Sequence, residues 1–150
     1  MHLKVPPVAV FLIAVALLAA GHYLLPALSL SFPGQVNLAL LLGLAGVVPG
    51  IQAVLEFIAR KTTVNPMTPD TATTLVTGGI YRISRNPMYL GLLCVLLAIA
   101  IFWGTLTALA VIPGFVWFMT EYQIKPEETA LRKVFGADYD AYLAKVRRWI

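Results

Sequence analysis

The sequence predicts an all-α integral membrane protein of about four transmembrane helices, with a cytoplasmic-side loop and a C-terminal helical tail. Of its 150 residues, 59% are apolar and only 12% are charged, whereas soluble domains carry roughly 25% charged residues. No charged residue lies between Lys4 and Glu56, or between Arg85 and Glu121. Because a charge at the centre of a spanning helix costs about 3 kcal/mol, such stretches are typical of membrane spans.

Apolar runs divide the chain into spans within one predicted domain. A crossing needs about 20 apolar residues, and the first two runs have this length. The apolar run after Pro87 is too long for one crossing, so we expect a hairpin that turns near Gly104. Proline inside a span is tolerated as a kink. The predicted domain is 1–150, with spans at 8–30, 36–58, 87–103 and 105–122, a loop at 60–86 and a tail at 125–150.

The N-terminal run resembles a secretory signal, because Lys4 precedes it and small residues lie near position 20. The Pro6-Pro7 pair interrupts the basic region, and the run is longer than the 7 to 15 residues of a signal core. We therefore interpret it as a retained helix.

Charge distribution predicts the orientation. Four crossings place both termini and the 60–86 loop on one side, and that side holds every charge, as expected of cytoplasm. We expect the protein in the bacterial inner (plasma) membrane, in contact with the lipid bilayer, with both termini cytoplasmic. The net charge of +4 is explained by this topology, and no stripe of basic residues indicates nucleic-acid binding. The sequence does not indicate an oligomeric state.

The tail from Lys125 is predicted to form two helical pieces. Pro126 suits a first helical turn, and Gly136 can end the first piece before Asp138 caps the second. Apolar and aromatic residues from Tyr139 to Trp149 recur at helical spacing. We expect this stripe to lie on the membrane surface or on the loop.

Two segments are candidates for chemistry. Residues 73–91 combine polar and glycine residues at a membrane entry, although Asn86 as a helix cap and Arg82 and Arg85 as positive-inside anchors explain them equally well. Glu127 and Glu128 follow the last span, where complementing the helix dipole is the alternative role. Successive helix residues point about 100° apart, so at most one of the two carboxylates is expected to be a primary ligand.

Three isolated residues have structural explanations. We expect His22 to be a hydrogen-bonded packing residue near the outer surface, although an ionisable group in a span is a candidate by default. Glu56 is predicted to pair with Arg60, four residues on. Cys94, the one cysteine, excludes an intramolecular disulfide and is predicted to pack inside a span.

The two candidate segments resemble the isoprenylcysteine carboxyl methyltransferase and phospholipid methyltransferase family of integral membrane enzymes. Its first block, H-T-L-V-T-S-G-x-Y followed by R-H-P-x-Y-x-G, corresponds to TTLVTGGIY at 73–81 and RNPMYLG at 85–91. Its second block, E-E-x-x-L followed by F-G-x-x-Y-x-x-Y, corresponds to EETAL at 127–131 and FGADYDAY at 135–142. The likeness extends over more than half of the chain, from about residue 65 to 149.

The resemblance implies an enzyme that transfers a methyl group from S-adenosylmethionine, leaving S-adenosylhomocysteine, to a lipophilic or small-molecule acceptor at the cytoplasmic face. No metal is implied. Catalysis of this displacement depends mainly on alignment in a dry pocket. The residues implied in cofactor binding are Thr73, Thr74, Leu75, Val76, Tyr81, Asn86, Pro87, Met88, Tyr89, Glu127 and Glu128.

Two residues are candidates for contact with the reacting groups. Arg85 is a fixed cation that can orient an anionic acceptor or the donor carboxylate. Gln123 stands four residues before Glu127, where the prenylcysteine enzymes carry a substrate-contacting arginine. Thr73 and Asn86 replace the two motif histidines. These departures leave a prenylcysteine-like carboxylate, a lipid amine and a thiol open as acceptors.

Other classes remain as alternatives. A small four-helix transporter would carry an intramembrane acid or base for coupling, and only His22 and Glu56 approach that description. A sterol-type reductase would need a nicotinamide site, but no dinucleotide-binding fingerprint is present. A non-catalytic membrane protein that retains the motifs is the remaining possibility.

Overall fold

The computed structural model describes residues 5–59 and 74–150, and its regular structure in those ranges is helical. The prediction of an all-helical protein is confirmed for these residues. A π-helical turn (Thr120–Ile124) joins the fourth helix to the fifth, and short 3-10 helices lie at Pro26–Leu28 and Gly79–Arg82. The α-helices are α1 (Pro7–Leu24), α2 (Gln35–Ala59), α3 (Pro87–Trp103), α4 (Ala108–Met119) and α5 (Lys125–Leu143).

Helix α1 ends earlier than the predicted span 8–30. Leu25 leaves the helical conformation, with φ −126° and ψ 56°, because the proline that follows it disfavours helical backbone in the preceding residue. The prediction is therefore wrong at the C-terminal end of this helix. By length and composition α1 and α2 are able to cross a membrane, and α3 is a shorter apolar helix of 17 residues.

Helices α2 and α3 approach closely through glycines. A Cβ atom added to Gly46 would lie 2.6 Å from the carbonyl oxygen of Gly91, and one added to Gly91 would lie 2.7 Å from that of Gly46. Small residues permit this approach of two helix backbones. Pro49 lies inside α2, which continues past it to Ala59.

The predicted hairpin between α3 and α4 is confirmed. Gly104 adopts φ +62° and caps α3, a left-handed conformation that favours glycine. The side-chain Nε2 of Gln35, at the start of α2, donates to the carbonyl oxygens of Ile101 and Phe102 at 2.7 and 3.1 Å. Helix α4 begins at Ala108, three residues later than the predicted span at 105–122.

The core joins α1, α3, α4 and the π-helical turn. Leu18, Leu96, Met119 and Ile124 are its fully buried members. At the Trp103 end, His22 stacks on Trp103 with centroids 5.8 Å apart. The predicted packing role of His22 agrees with this contact, but its buried Nδ1 has no hydrogen-bond partner among the described residues.

The tail has the predicted break. Gly136 interrupts α5 with φ 52° and ψ −125°. The second piece ends at Leu143, so the prediction that helical spacing continues to Trp149 is wrong. Tyr139 and Tyr142 are buried, and the Tyr142 hydroxyl donates to the carbonyl oxygen of Tyr81 at 2.7 Å. The stripe therefore contacts the loop before α3, one of its two predicted locations.

Candidate functional site

A cavity opens where the loop before α3 meets the start of α5. The cavity is narrow: the centre of a water-sized sphere can move through only about 60 Å³ of it, so binding a small molecule of ordinary size requires its walls to move apart. The structure thus joins the two motif blocks that the sequence singled out. The predicted site residues that line the cavity are Thr74, Leu75, Val76, Tyr81, Arg85, Asn86, Pro87, Met88, Tyr89, Glu127 and Glu128.

Two predicted site residues differ from this set. Thr73 lies outside the described residues, as does Arg60, the predicted partner of Glu56. Gln123 is not among the residues that line the cavity. Its side chain is 1% exposed in the π-helical turn, and its Nε2 donates to the carbonyl oxygen of Val5. This contact ties the turn to the residues before α1, so a role of Gln123 at the reacting groups stays a prediction.

Tyr89 and Glu127 connect the two blocks directly. The Tyr89 hydroxyl donates to Oε2 of Glu127 at 2.9 Å, across 38 residues of chain. Burial raises the pKa of the Glu127 carboxyl to about 7; the Tyr89 hydrogen bond lowers it, and the Glu128 carboxylate adds to the increase. A carboxyl group with this pKa exchanges a proton near neutral pH.

Glu128 has a different environment from its neighbour. Arg148 binds its carboxylate with two hydrogen bonds, Nε to Oε1 at 2.9 Å and Nη2 to Oε2 at 2.8 Å. Arg85 approaches the same carboxylate less closely, with Nη2 3.4 Å from Oε1. The two carboxylates therefore have separate partners, as their angular separation on a helix predicts.

Tyr81 forms one wall of the cavity. It lies in the 3-10 helix Gly79–Arg82, is 4% exposed, and meets the ring of Phe57 edge-on at 5.5 Å. Burial and the nearby Glu127 raise the pKa of its phenol, which is therefore neutral at physiological pH. Its hydroxyl has no hydrogen-bond partner among the described residues. A buried polar atom without a partner is uncommon, and this hydroxyl is able to form a hydrogen bond with a ligand in the cavity.

The sequence predicted that the Asn86 side chain would cap α3, and the structure does not show this cap. Asn86 occupies the N-cap position, but no side-chain capping bond is formed. Its Nδ2 instead donates to the carbonyl oxygen of Arg148 at 2.9 Å. Pro87 occupies the first helical position as predicted. The loop before α3 is thus held by the end of the chain.

Sequence reasoning missed several lining residues. Phe57 comes from α2, far from either block in sequence, and no local pattern distinguishes it from the other apolar residues of that helix. Tyr139 and Tyr142 belong to the second block, whose spacing was the signal for them. The remaining residues that were not predicted are Ile124, Leu131 and Phe135.

Comparisons with known proteins assign the chain to a family. Residues 35–138 match the family described as phospholipid methyltransferase. The chain belongs to the phospholipid methyltransferase family. The family match includes α2, both cavity-forming blocks up to Asp138, and the hairpin between them.

A shorter relative provides a second comparison. A Haemophilus influenzae protein described as uncharacterized is 41% identical over 63 residues, which are 42% of this chain and 100% of that protein. No solved structure matches the chain significantly. Membership of the phospholipid methyltransferase family supports methyl transfer to a lipid-like substrate.

Proposed function

We propose that this protein is an integral membrane enzyme that transfers a methyl group from S-adenosylmethionine to a lipophilic acceptor at the cytoplasmic membrane face. The observation that carries the proposal is the meeting of both motif blocks in one cavity, where Tyr89 binds Glu127 at 2.9 Å. The coarser conclusion, a methyltransferase family, is already established by the sequence match.

The residues that line the cavity fit the donor. Tyr81 Oη and Arg85 Nε are buried without a hydrogen-bond partner among the described residues, so a ligand with acceptor groups would satisfy them. Aromatic faces suit a sulfonium cation, and a carboxylate such as Glu127 can accept from ribose hydroxyls or an amine. When bound, S-adenosylmethionine supplies a methyl group activated by the positive sulfur.

The chain's own residues would bind and orient the ligand and exclude water from the cavity. Arg85 can hold a carboxylate, and Glu127 can accept hydrogen bonds while Tyr89 fixes its orientation. Apolar side chains such as Val76 and Ile124 are buried at the wall and keep water from the reacting groups. Alignment in a dry pocket can supply most of the rate enhancement for such a displacement.

An apolar groove supports a lipophilic acceptor. It lies between α2 and α3, is lined by residues such as Gly46, Gly50 and Val95, and shares Met88 with the cavity. We assign it to the hydrocarbon chain of the acceptor, because the head group of a molecule bound there would lie near Met88, which also lines the donor cavity.

Charge distribution supports the membrane arrangement. In the proposed topology α1, α2 and α3 cross the bilayer, and α4 with its π-helical turn makes the fourth crossing. The cavity then lies on the side that carries the charged residues, which the positive-inside rule assigns to the cytoplasm. The donor is made in that compartment.

Calorimetric titration with S-adenosylhomocysteine tests the donor assignment. The detergent-purified protein is expected to bind it saturably, and Glu127→Gln and Tyr81→Phe are each expected to weaken binding about tenfold through loss of a hydrogen bond to the ligand. Asp138→Asn is a matched control, because Asp138 is exposed and does not line the cavity. No binding by folded protein would contradict the proposal and favour a transporter or a non-catalytic role.

A further inference from the structure

A segment outside the region that matches the family contacts residues that line the cavity. We call residues 147–149 the strap. The amide of Arg85 donates to the carbonyl oxygen of Arg147 at 3.1 Å, and the Asn86 side chain donates to that of Arg148 at 2.9 Å. The family match ends at residue 138, so the match itself assigns the strap no role.

Trp149 anchors the strap. Its indole Nε1 donates to the Thr120 hydroxyl at 3.3 Å, and its ring packs against the buried core. The strap therefore connects the loop before α3 with the π-helical turn, and Arg148 is held between these two attachments.

Arg148 is the principal hydrogen-bond partner of Glu128 beside the cavity. Two arginines compete for the single carboxylate of Glu128, and Arg148 occupies both of its oxygens. Two parallel bonds of this kind are the strongest geometry that an arginine and a carboxylate form. Arg85 retains only a 3.4 Å approach to Glu128, and its Nε has no partner among the described residues.

We propose that Arg148 is a positioning residue: by engaging Glu128 it leaves the Arg85 guanidinium available to an anionic group in the cavity. Under the proposed function, on which this inference rests, that group is the carboxylate of the donor's amino-acid part. Two guanidinium groups beside one ionised Glu128 leave an excess positive charge there, which favours an anion. Without Arg148, Arg85 would become the main cation for Glu128 and would turn toward it.

A double-mutant cycle on the full-length protein tests this role. Affinity for S-adenosylhomocysteine is measured for the unchanged protein, Arg85→Ala, Arg148→Ala and the double variant. Arg148→Ala is expected to weaken binding at least about tenfold, the effect of losing a hydrogen bond to a charged group. If Arg148 acts through Arg85, adding Arg148→Ala to the Arg85→Ala variant should not weaken binding any further.

Two companion measurements separate positioning from folding. Methylthioadenosine lacks the amino-acid part, so its affinity should be the same for Arg148→Ala and the unchanged protein. Arg148→Lys should not restore binding, because an ammonium group cannot engage both oxygens in the same plane. Lys145→Ala, which removes a nearby exposed charge, is the control and should bind normally.

The outcomes are distinguishable. Additive losses in the cycle, equal losses for both ligands, or unchanged binding by Arg148→Ala would each overturn the positioning role while the proposed function stands. Absence of S-adenosylhomocysteine binding by the unchanged protein would overturn the proposed function, and this inference with it.

Discussion

Glu127 and Glu128 are adjacent in the chain, yet they experience opposite electrostatic environments. Glu128 faces two arginines, Arg148 and Arg85. Glu127 faces the hydroxyl of Tyr89, and burial raises the pKa of its carboxyl to about 7. A ligand cation near Glu127 would favour ionisation, because an opposite charge lowers the pKa of a carboxyl group.

The pH dependence of stability follows from this pKa. The unfolded chain releases the Glu127 proton near pH 4.5, whereas the folded protein keeps it until about pH 7. The folded state therefore binds more protons in this window, and the free energy of unfolding should fall as pH rises, by up to about 3 kcal/mol. The contribution of Glu127 is fully present below pH 4.5 and is lost through pH 7.

Thermal unfolding of the ligand-free protein in detergent, measured from pH 4 to pH 8, checks the predicted loss of stability with rising pH. Glu127→Gln keeps the shape of the side chain but removes its titration, so the variant should lose less stability than the unchanged protein across the window. Parallel curves for the two proteins would show that Glu127 titrates at its ordinary pKa. Asp138→Asn is expected to follow the unchanged protein.

The packing of α2 against α3 uses glycines in two different ways. Gly46 and Gly91 have no space for a Cβ atom because each faces the backbone of the other helix. Gly50 has nothing within 4 Å of an added Cβ and lies beside the apolar groove. Glycine thus allows the two helix backbones to approach at Gly46 and Gly91, and it leaves open space beside the groove at Gly50.

Gly50→Leu should therefore fill the groove without displacing the helices. Turnover of long-chain acceptors is expected to fall at least about tenfold, the usual effect of adding methylene-sized groups to an apolar site. S-adenosylhomocysteine affinity should not change, because Gly50 does not line the cavity. The measurement is methyl transfer to acceptors of increasing chain length.

Gly114→Leu is the matched control. Gly114 also has open space beside it, and it lies in a different apolar groove, between α1 and α4. Its activity should equal that of the unchanged protein. Equal activity of Gly50→Leu and the unchanged protein on long-chain acceptors would exclude the α2–α3 groove as the acceptor site.

At the scale of the whole molecule, charge and hydropathy agree on one orientation. The described ion pairs lie in the second half of the chain, between residues of the loop before α3, the π-helical turn and the tail. The turn between α1 and α2 carries no charge. From the positive-inside rule we predict that the tail lies in the cytoplasm and this turn outside.

Cysteine labelling in spheroplasts checks the orientation. On a Cys94→Ser background, Ser31→Cys should react with a membrane-impermeant maleimide in intact spheroplasts. Lys133→Cys, in α5, should react only after permeabilisation. Both positions are exposed in the structure, so a reversed pattern would mean that the tail is outside and that the cavity does not open to the cytoplasm.

Local patterns predicted the helices, because helix formation depends on neighbours in sequence, whereas most cavity residues were predicted from the resemblance of the two blocks to the family. Gly104 and Gly136 were located as break points by residue type alone, and both adopt positive φ. The end of α1 was missed because the apolar composition continues beyond Leu24, and only the backbone restriction before a proline stops the helix. Phe57 was missed because its contact with Tyr81 joins segments that are distant in sequence.

The sequence by itself determined the helical class, the distribution of charge, and which two segments form the candidate site. Hydrophobicity and residue-specific backbone preferences act locally, so the features that depend on them can be predicted from the sequence. Only the tertiary structure decided that Glu127 faces Tyr89 while Glu128 faces Arg148, that Gln123 points to Val5, and that the strap binds Asn86 in the loop before α3. These pairings depend on which side chains the packed helices bring within hydrogen-bond distance, and local composition does not specify that.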